Sequence, residues 1–406
     1  MNIQPFSFQI ESAAIDDLYR RLDMTRWTDE IPGGNWNYGI PLDFMKDMVA
    51  YWRHEFDWGA FRRSIQAYPN YIAQIDGIDI HFIHIKGSGE HSVPLLIAHG
   101  WPSSFYEMLE LIPYLMNPGQ FGGHAEISFD VVIPSIPGHG FSGIPLRPGF
   151  EDRQAGELLM KLMTGLGYER FGAHGYDIGA SILGLMCLDH PDRFIGYHTT
   201  SPGNPSPYVD SSSSLSDEET DFLEYQKQWG REEGAYAHIL GTRPQTAAYG
   251  LHDSPVALAA FILEKWHYWT SPEDDNVLQH FSKEHLMANV SIYWLTQSIN
   301  ASNRYYYEGK HTRWPGPEEF SPVPHGVTLT AQRNERPPRT FVKRIFPNVI
   351  HWKDLNAGGH FIAAEQPSWI AEQITAFFKQ ICDTPQEALK FYDNETRTSP
   401  LRYRND

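Results

Sequence analysis

Apolar and polar positions change period several times along the chain. Over 13–24 and 41–55 apolar side chains recur every three or four positions, which predicts short amphipathic helices. The stretch YIAQIDGIDIHFIHIKG (71–87) alternates instead and predicts an extended pair. Continuous apolar runs follow at 93–100 (VPLLIAHG), 129–138 (FDVVIPSIPG), 170–177 (RFGAHGYD) and 193–203 (RFIGYHTTSPG). Helical stretches such as SSFYEMLELIPYLM (103–116) and SILGLMCLDH (181–190) separate them. Strands alternating with helices predict an α/β fold, a mostly parallel sheet with helices on both faces. From 204 to 320 the pattern becomes helices rich in Trp and Tyr, for example VALAAFILEKWHYW (256–269) and LMANVSIYWLTQSIN (286–300). HGVTLTAQ (325–332) and NVIHWKDL (348–355) then resume the sheet. The expected organisation is an N-terminal helical extension over 1–75, a core in two parts over 76–203 and 321–406 with a C-terminal tail, and a helical lid over 204–320. The serine and acidic cluster SSSSLSDEET (211–220) reads as a solvated loop at the lid boundary.

Composition narrows the partners. Lys and Arg number 32 against 50 Asp and Glu, a net charge of −18, which repels nucleic acid and anionic membrane surfaces and favours a small neutral ligand or a protein. Two cysteines, Cys187 and Cys382, build neither a disulfide framework nor a four-cysteine zinc site. The first 23 residues lack a signal-peptide pattern and no stretch approaches the ~18 apolar residues of a membrane span, so a soluble, cytoplasmic protein is expected. The sequons at Asn289, Asn300 and Asn394 then carry no meaning.

Two motifs dissolve on inspection. Gly138 to Gly143 spell GxGxxG after a strand, but Pro145 and Pro148 stand where a dinucleotide-binding helix would begin. His54-Glu55 opens like a zinc-binding helix, but Trp58 occupies the position of the second histidine, so neither a cofactor nor a metal is expected. Stronger is Gly175-Tyr176-Asp177-Ile178-Gly179, the spacing of a nucleophile elbow with a carboxylate where hydrolases often carry serine. Asp177 reads either as the N-cap of the next helix or as a nucleophile that attacks carbon and forms an ester. HGWP (99–102), straight after a strand, has the form of an oxyanion loop, with the backbone N–H groups of Trp101 and Ile178 converging on the Asp177 acyl oxygen. His360, in the glycine-bounded stretch AGGHF, follows the last strand and is placed to activate water.

Together, HGWP, the GxDxG elbow, GTRPQTAAYGLHDSPVALAAFILEKW, SIYWLTQSINASNRYYYE and AGGHF resemble the microsomal-type epoxide hydrolases of the α/β-hydrolase superfamily, over nearly the whole chain. The resemblance implies that Asp177 opens an oxirane to a vicinal diol through a covalent ester and that His360 activates the water that hydrolyses it. It also implies that Tyr236 and Tyr306, the latter flanked by Tyr305 and Tyr307, hold the epoxide oxygen. Relatives are often dimers, so a homodimer is implied too. The aromatic lid suggests a bulky apolar or aromatic epoxide, with Trp101 and Tyr176 lining its pocket. Two positions depart from the family. Tyr176 stands where a small residue is usual before the nucleophile, and Arg333 occupies the place expected for the acid that orients the histidine. Glu335 is favoured for that acid; Asp354 is the other carboxylate nearby. Two rival readings remain open: a haloalkane-type dehalogenase, against which Ile178 offers no side-chain donor to a halide, and a ligand-binding protein without turnover.

Overall fold

The computed structural model describes residues 1–89, 92–122, 126–200, 202, 209, 214–270, 276–316 and 318–383. Nine strands form one sheet: β1 (Asn2–Pro5), β2 (Asn70–Ile75), β3 (Ile78–Ile85), β4 (Ser92–Ala98), β5 (Ser128–Pro134), β6 (Phe171–Gly175), β7 (Phe194–Thr199), β8 (His325–Leu329) and β9 (Val349–Asp354). Their spatial order is β1-β2-β3-β5-β4-β6-β7-β8-β9, antiparallel as far as β5 and parallel from β5 to β9. The chain leaves β4 for β5 on one side and returns to β6 on the other, so its direction of winding reverses at β4. Clefts in such sheets open at the carboxyl ends of the strands flanking that switch. Here those ends are Ala98 and Gly175, which are register partners.

The continuous apolar runs arise because both faces of the sheet are covered. Leu95 and Ile97 of β4 pack into one cluster with Ile370, Phe377 and Phe378 of the helix Pro367–Cys382. Leu96 and Ala98 point the other way, to Leu158 and Leu162 of the helix Asp152–Gly165 and Ile182 and Met186 of the helix Asp177–Asp189. Between β7 and β8 a group of helices, among them Asp217–Glu232, Ala235–Leu240, Pro255–Tyr268, Lys283–Thr296 and Ile299–His311, covers the carboxyl edge. The N-terminal helices Ser12–Asp23 and Leu42–His54 brace this cover, with Trp52 Nε1 donating to Ser291 Oγ at 2.9 Å and Arg21 paired to Asp253 at 2.8 Å.

Some elements differ from the expected ones. β1 joins the sheet edge, where a strand tolerates a proline such as Pro5, the register partner of Tyr71, and its four residues are too short to show a period. The helix expected over 103–116 is instead a 3-10 turn, Phe105–Leu111, followed by the helix Ile112–Met116; Pro113 cannot donate an amide to continue a single helix. The end of the serine and acidic cluster is a helix start: Ser216 and Glu219 form a reciprocal capping box, and Glu219, 3% exposed, pairs with Arg344. Residues 211–213 and Asn394 lie outside the described residues. The GxGxxG run is a turn with Gly138 at φ +81° and Gly140 at +49°, and the next helix begins only at Asp152. Among the described residues no helix is long and apolar enough to cross a membrane.

The strands also bury an unusual number of histidines. His81 and His84 of β3, His174 of β6, His198 of β7 and His325 of β8 are all at most 5% exposed. His174 and His198 share a hydrogen bond of 3.0 Å between their Nδ1 atoms, and His198 Nε2 is 3.0 Å from Thr328 Oγ1. Burial lowers His81, His174 and His325 to about 3 and His84 to about 4. A histidine depressed in the folded state leaves stability whole above the unfolded value near 6.5 and removes it as pH falls from there toward the folded value, by ~1.4 kcal/mol per unit per residue. The melting temperature should therefore drop steeply between pH 6.5 and 4.5; a flat profile in thermal melts across that range would contradict this picture.

Candidate active site

Asp177 opens the helix Asp177–Asp189 directly after β6, and its φ is +52°, a left-handed conformation that costs a non-glycine residue roughly 1–3 kcal/mol. Three glycines make room for it. A Cβ on Gly179 would lie 2.4 Å from the carbonyl oxygens of Ala98 and His99, and one on Gly175 would lie 2.8 Å from Leu183 Cδ1. A Cβ on Gly100 would stand 2.4 Å from Asp177 Cβ and 2.6 Å from Oδ1. The elbow and the HGWP loop are thus fitted to each other. The Trp101 N–H donates to Asp177 Oδ1 at 2.8 Å. Burial raises the Asp177 carboxyl, while the His360 charge and the N–H groups of Trp101 and Ile178 hold it down.

His360 reaches Asp177 from the loop after β9. Its own N–H donates to the Trp269 carbonyl at 2.7 Å, and a Cβ on Gly359 would lie 2.5 Å from that same oxygen, so the glycine lets the loop tuck beneath the cover. Nε2 stands 3.6 Å from Asp177 Oδ2 and has no hydrogen-bond partner among the described residues. Nδ1 is hydrogen-bonded to Glu335 Oε1. Burial disfavours the imidazolium, but the charge and hydrogen bond of Glu335, with the charges of Asp177 and Glu107, carry His360 up to about 9.

Of the three positions weighed for the histidine's partner, Glu335 is the one brought to it, at the end of the 3-10 turn Arg333–Glu335. Arg333 points away, its guanidinium 4.1 Å from the Tyr225 ring centroid. Asp354 is occupied by Arg336.

Tyr236 and Tyr306 converge from two cover helices, with ring centroids 5.6 Å apart at 81°. Trp101 packs against both, parallel to Tyr236 at 5.2 Å and edge-on to Tyr306 at 5.4 Å. Burial lifts both phenols well above 10, so they stay protonated. The neighbours are engaged elsewhere: the Tyr305 hydroxyl donates to the Pro137 carbonyl at 2.9 Å, and Tyr307 stacks on His311. A cavity of about 490 Å³ opens above Asp177, walled by Trp229, Tyr236, Trp269, Tyr306 and His360. Among the described residues no group of three or more His, Cys, Asp or Glu is arranged to hold a metal ion.

Tyr176 differs from the pocket-lining place expected for it. It is 2% exposed and absent from the cavity wall; its hydroxyl donates to Glu107 and is hydrogen-bonded to Ser103 in the core. Trp101 is fully buried and bears on the site through the two tyrosines. Unforeseen members are Trp269, edge-on to His360 at 5.0 Å, and Lys265, 5% exposed, whose Nζ lies 4.9 Å from the Tyr236 ring centroid. Both sit in a cover helix or at its end, where an apolar stripe looks like core. Replacing Gly100 with alanine should displace the Asp177 side chain and lower kcat about 100-fold while leaving the melting temperature within a few degrees; an enzyme of native activity would refute the fit described above.

Known proteins resemble this chain over most of its length. Residues 3–108 match the family described as epoxide hydrolase N terminus, and residues 93–249 match the alpha/beta hydrolase fold. A putative epoxide hydrolase of Stigmatella aurantiaca is 35% identical over 93% of this chain and 85% of its own length. Epoxide hydrolase 1 of Oryctolagus cuniculus is 34% identical over 93% and 88%. Among solved structures, the epoxide hydrolase of Aspergillus niger superposes with a TM-score of 0.81 at 26% identity, covering 94% of this chain and 97% of that one. The juvenile hormone epoxide hydrolase of Bombyx mori gives the same TM-score at 28% identity, covering 94% and 95%. Relatives 34% and 35% identical over 93% of its length are epoxide hydrolases, and the chain belongs to that family.

Proposed function

We propose that Asp177 and His360 divide epoxide hydrolysis between them, with Asp177 as nucleophile and His360 as base. The observation that carries this reading is the Asp177 carboxylate caught between the Trp101 N–H on Oδ1 and His360 Nε2 near Oδ2. Oδ1 is already engaged, so Oδ2 attacks the oxirane carbon and breaks its C–O bond. Tyr236 and Tyr306 hydrogen-bond the epoxide oxygen, and one of them gives its proton to the developing alkoxide. The product is an alkyl ester whose carbonyl oxygen is Oδ1. That atom then lies at the Trp101 and Ile178 amides, where the negative charge of the tetrahedral intermediate forms.

Ester formation also prepares the base. In the resting enzyme Asp177 helps to keep His360 charged. Alkylation neutralises that carboxylate, so the imidazolium can give its proton to the phenolate left by the first step. Neutral His360, aligned by Glu335, takes a proton from water as the water attacks the ester carbon. Collapse returns the Asp177 carboxylate, the remaining water proton goes to the leaving alkoxide, and the diol departs with His360 charged as before. One oxygen of water is left in Asp177 after each turnover.

The cavity volume and its Trp and Tyr walls support a bulky apolar or aryl epoxide as substrate. His360→Gln incubated with an aryl epoxide should gain one substrate mass, mapped to the peptide bearing Asp177, and Asp177→Asn should gain none. Absence of any adduct across a panel of aryl and aliphatic epoxides would overturn the assignment.

A further inference from the structure

Glu107 has no part in the chemistry above, yet it is 2% exposed and lies on the 3-10 turn Phe105–Leu111, close behind the loop that carries Trp101. The Tyr176 hydroxyl donates to its Oε2 and is also hydrogen-bonded to Ser103, whose Oγ donates to the Gly100 carbonyl at 3.2 Å. From the cover, the Tyr293 hydroxyl donates to the Ser103 carbonyl at 2.7 Å. Oε1 is buried with no hydrogen-bond partner, and no Lys or Arg pairs with the carboxyl among the described residues. Such a group would ordinarily be replaced by an apolar one, because a buried carboxyl left half-satisfied costs stability.

Its surroundings supply a use. Tyr176 touches both partners: its hydroxyl meets Glu107 and its ring stands edge-on to the His360 ring, with centroids 5.1 Å apart. The charged and titratable groups facing His360 are Glu335 from the turn after β8, Asp177 from the elbow, Glu107 from its 3-10 turn and Tyr176 from the end of β6. Those facing Glu107 are Tyr176, His360 and Asp177, with the Ser103 hydroxyl. Burial lifts Glu107, the Tyr176 and Ser103 hydrogen bonds and the His360 charge pull it down, Asp177 pushes it up, and the balance lies at about 7. Once Asp177 is esterified, Glu335 and Glu107 are the acids left to set how tightly His360 holds its proton.

We propose that Glu107 is a positioning residue for ester hydrolysis, holding Tyr176 against His360 and, by its charge, strengthening His360 as a base. The inference rests on the roles given above to Asp177 and His360. Ester formation does not use His360 as a base, so the first half of the reaction reports on those roles separately.

Single-turnover kinetics with an aryl epoxide, followed by tryptophan fluorescence from pH 5 to 9, resolve ester formation from breakdown. Glu107→Gln keeps an acceptor for Tyr176 and removes the charge. It should form the ester within about threefold of the native rate, shift the acid limb of breakdown to lower pH by about half a unit or more, and lower the plateau about tenfold. Glu107→Asp should restore the midpoint, Tyr176→Phe should lower the plateau, and Glu110→Gln, an exposed change on the same turn, should do neither. A Glu107→Gln enzyme that melts lower but keeps the native midpoint and plateau would overturn the proposal, leaving Glu107 a core residue. Absence of an ester in the native enzyme would overturn the nucleophile assignment, and this inference with it.

Discussion

A carboxylate has to remain both buried and ionised at Asp177, and the rest of the site answers that demand. Burial raises its carboxyl; a backbone N–H at 2.8 Å and the charge of His360, 3.6 Å away, oppose that rise. To bring these groups together the backbone turns from strand to helix at positive φ, and Gly100, Gly175 and Gly179 remove the atoms that would otherwise occupy the space. Strain at the elbow is sustained because the sheet and two helices fix both of its ends.

The fold supplies each partner from a different element at one edge of the sheet. The reversal of winding at β4 leaves a cleft there; the loop after β4 brings the Trp101 amide, the turn after β6 Asp177, the loop after β9 His360 and the turn after β8 Glu335. Cover helices bring the two phenols, and Trp101 packs against both, so the loop whose N–H meets Asp177 also orients Tyr236 and Tyr306. The charges are interdependent as a result: Asp177 helps to keep His360 charged, and in the proposed reaction the loss of the Asp177 charge on alkylation lets His360 act as a base.

How much of this was legible in the sequence follows from how local each signal is. The elbow, the HGWP loop and the AGGHF loop are runs of consecutive residues whose small members have steric reasons, so Asp177, Trp101 and His360 stood out at once. Glu335 did not, because its placement depends on a 3-10 turn ahead of Pro337 and Pro338 that puts the carboxylate two positions beyond the place the family resemblance gives to Arg333. Tyr236 and Tyr306 look like core aromatics without the family resemblance, and only the packing of two distant helices pairs them. The side chain of Tyr176 turns toward the core because Glu107 and Ser103 wait for its hydroxyl, and a long-range partner of that kind leaves no trace in local spacing. β1 and the broken helix after Ser104 were lost to shortness and to Pro113.

The coupling between Asp177 and His360 is the centre of this account, and a titration of the His360 ring nitrogens by nuclear magnetic resonance, with the ring labelled by nitrogen-15, tests it most directly. In the resting enzyme His360 should lose its proton near pH 9, and in Asp177→Asn that midpoint should fall. A midpoint near 6.5, unmoved by the loss of the Asp177 charge, would mean that the two groups are not coupled and that the base is not switched on by ester formation.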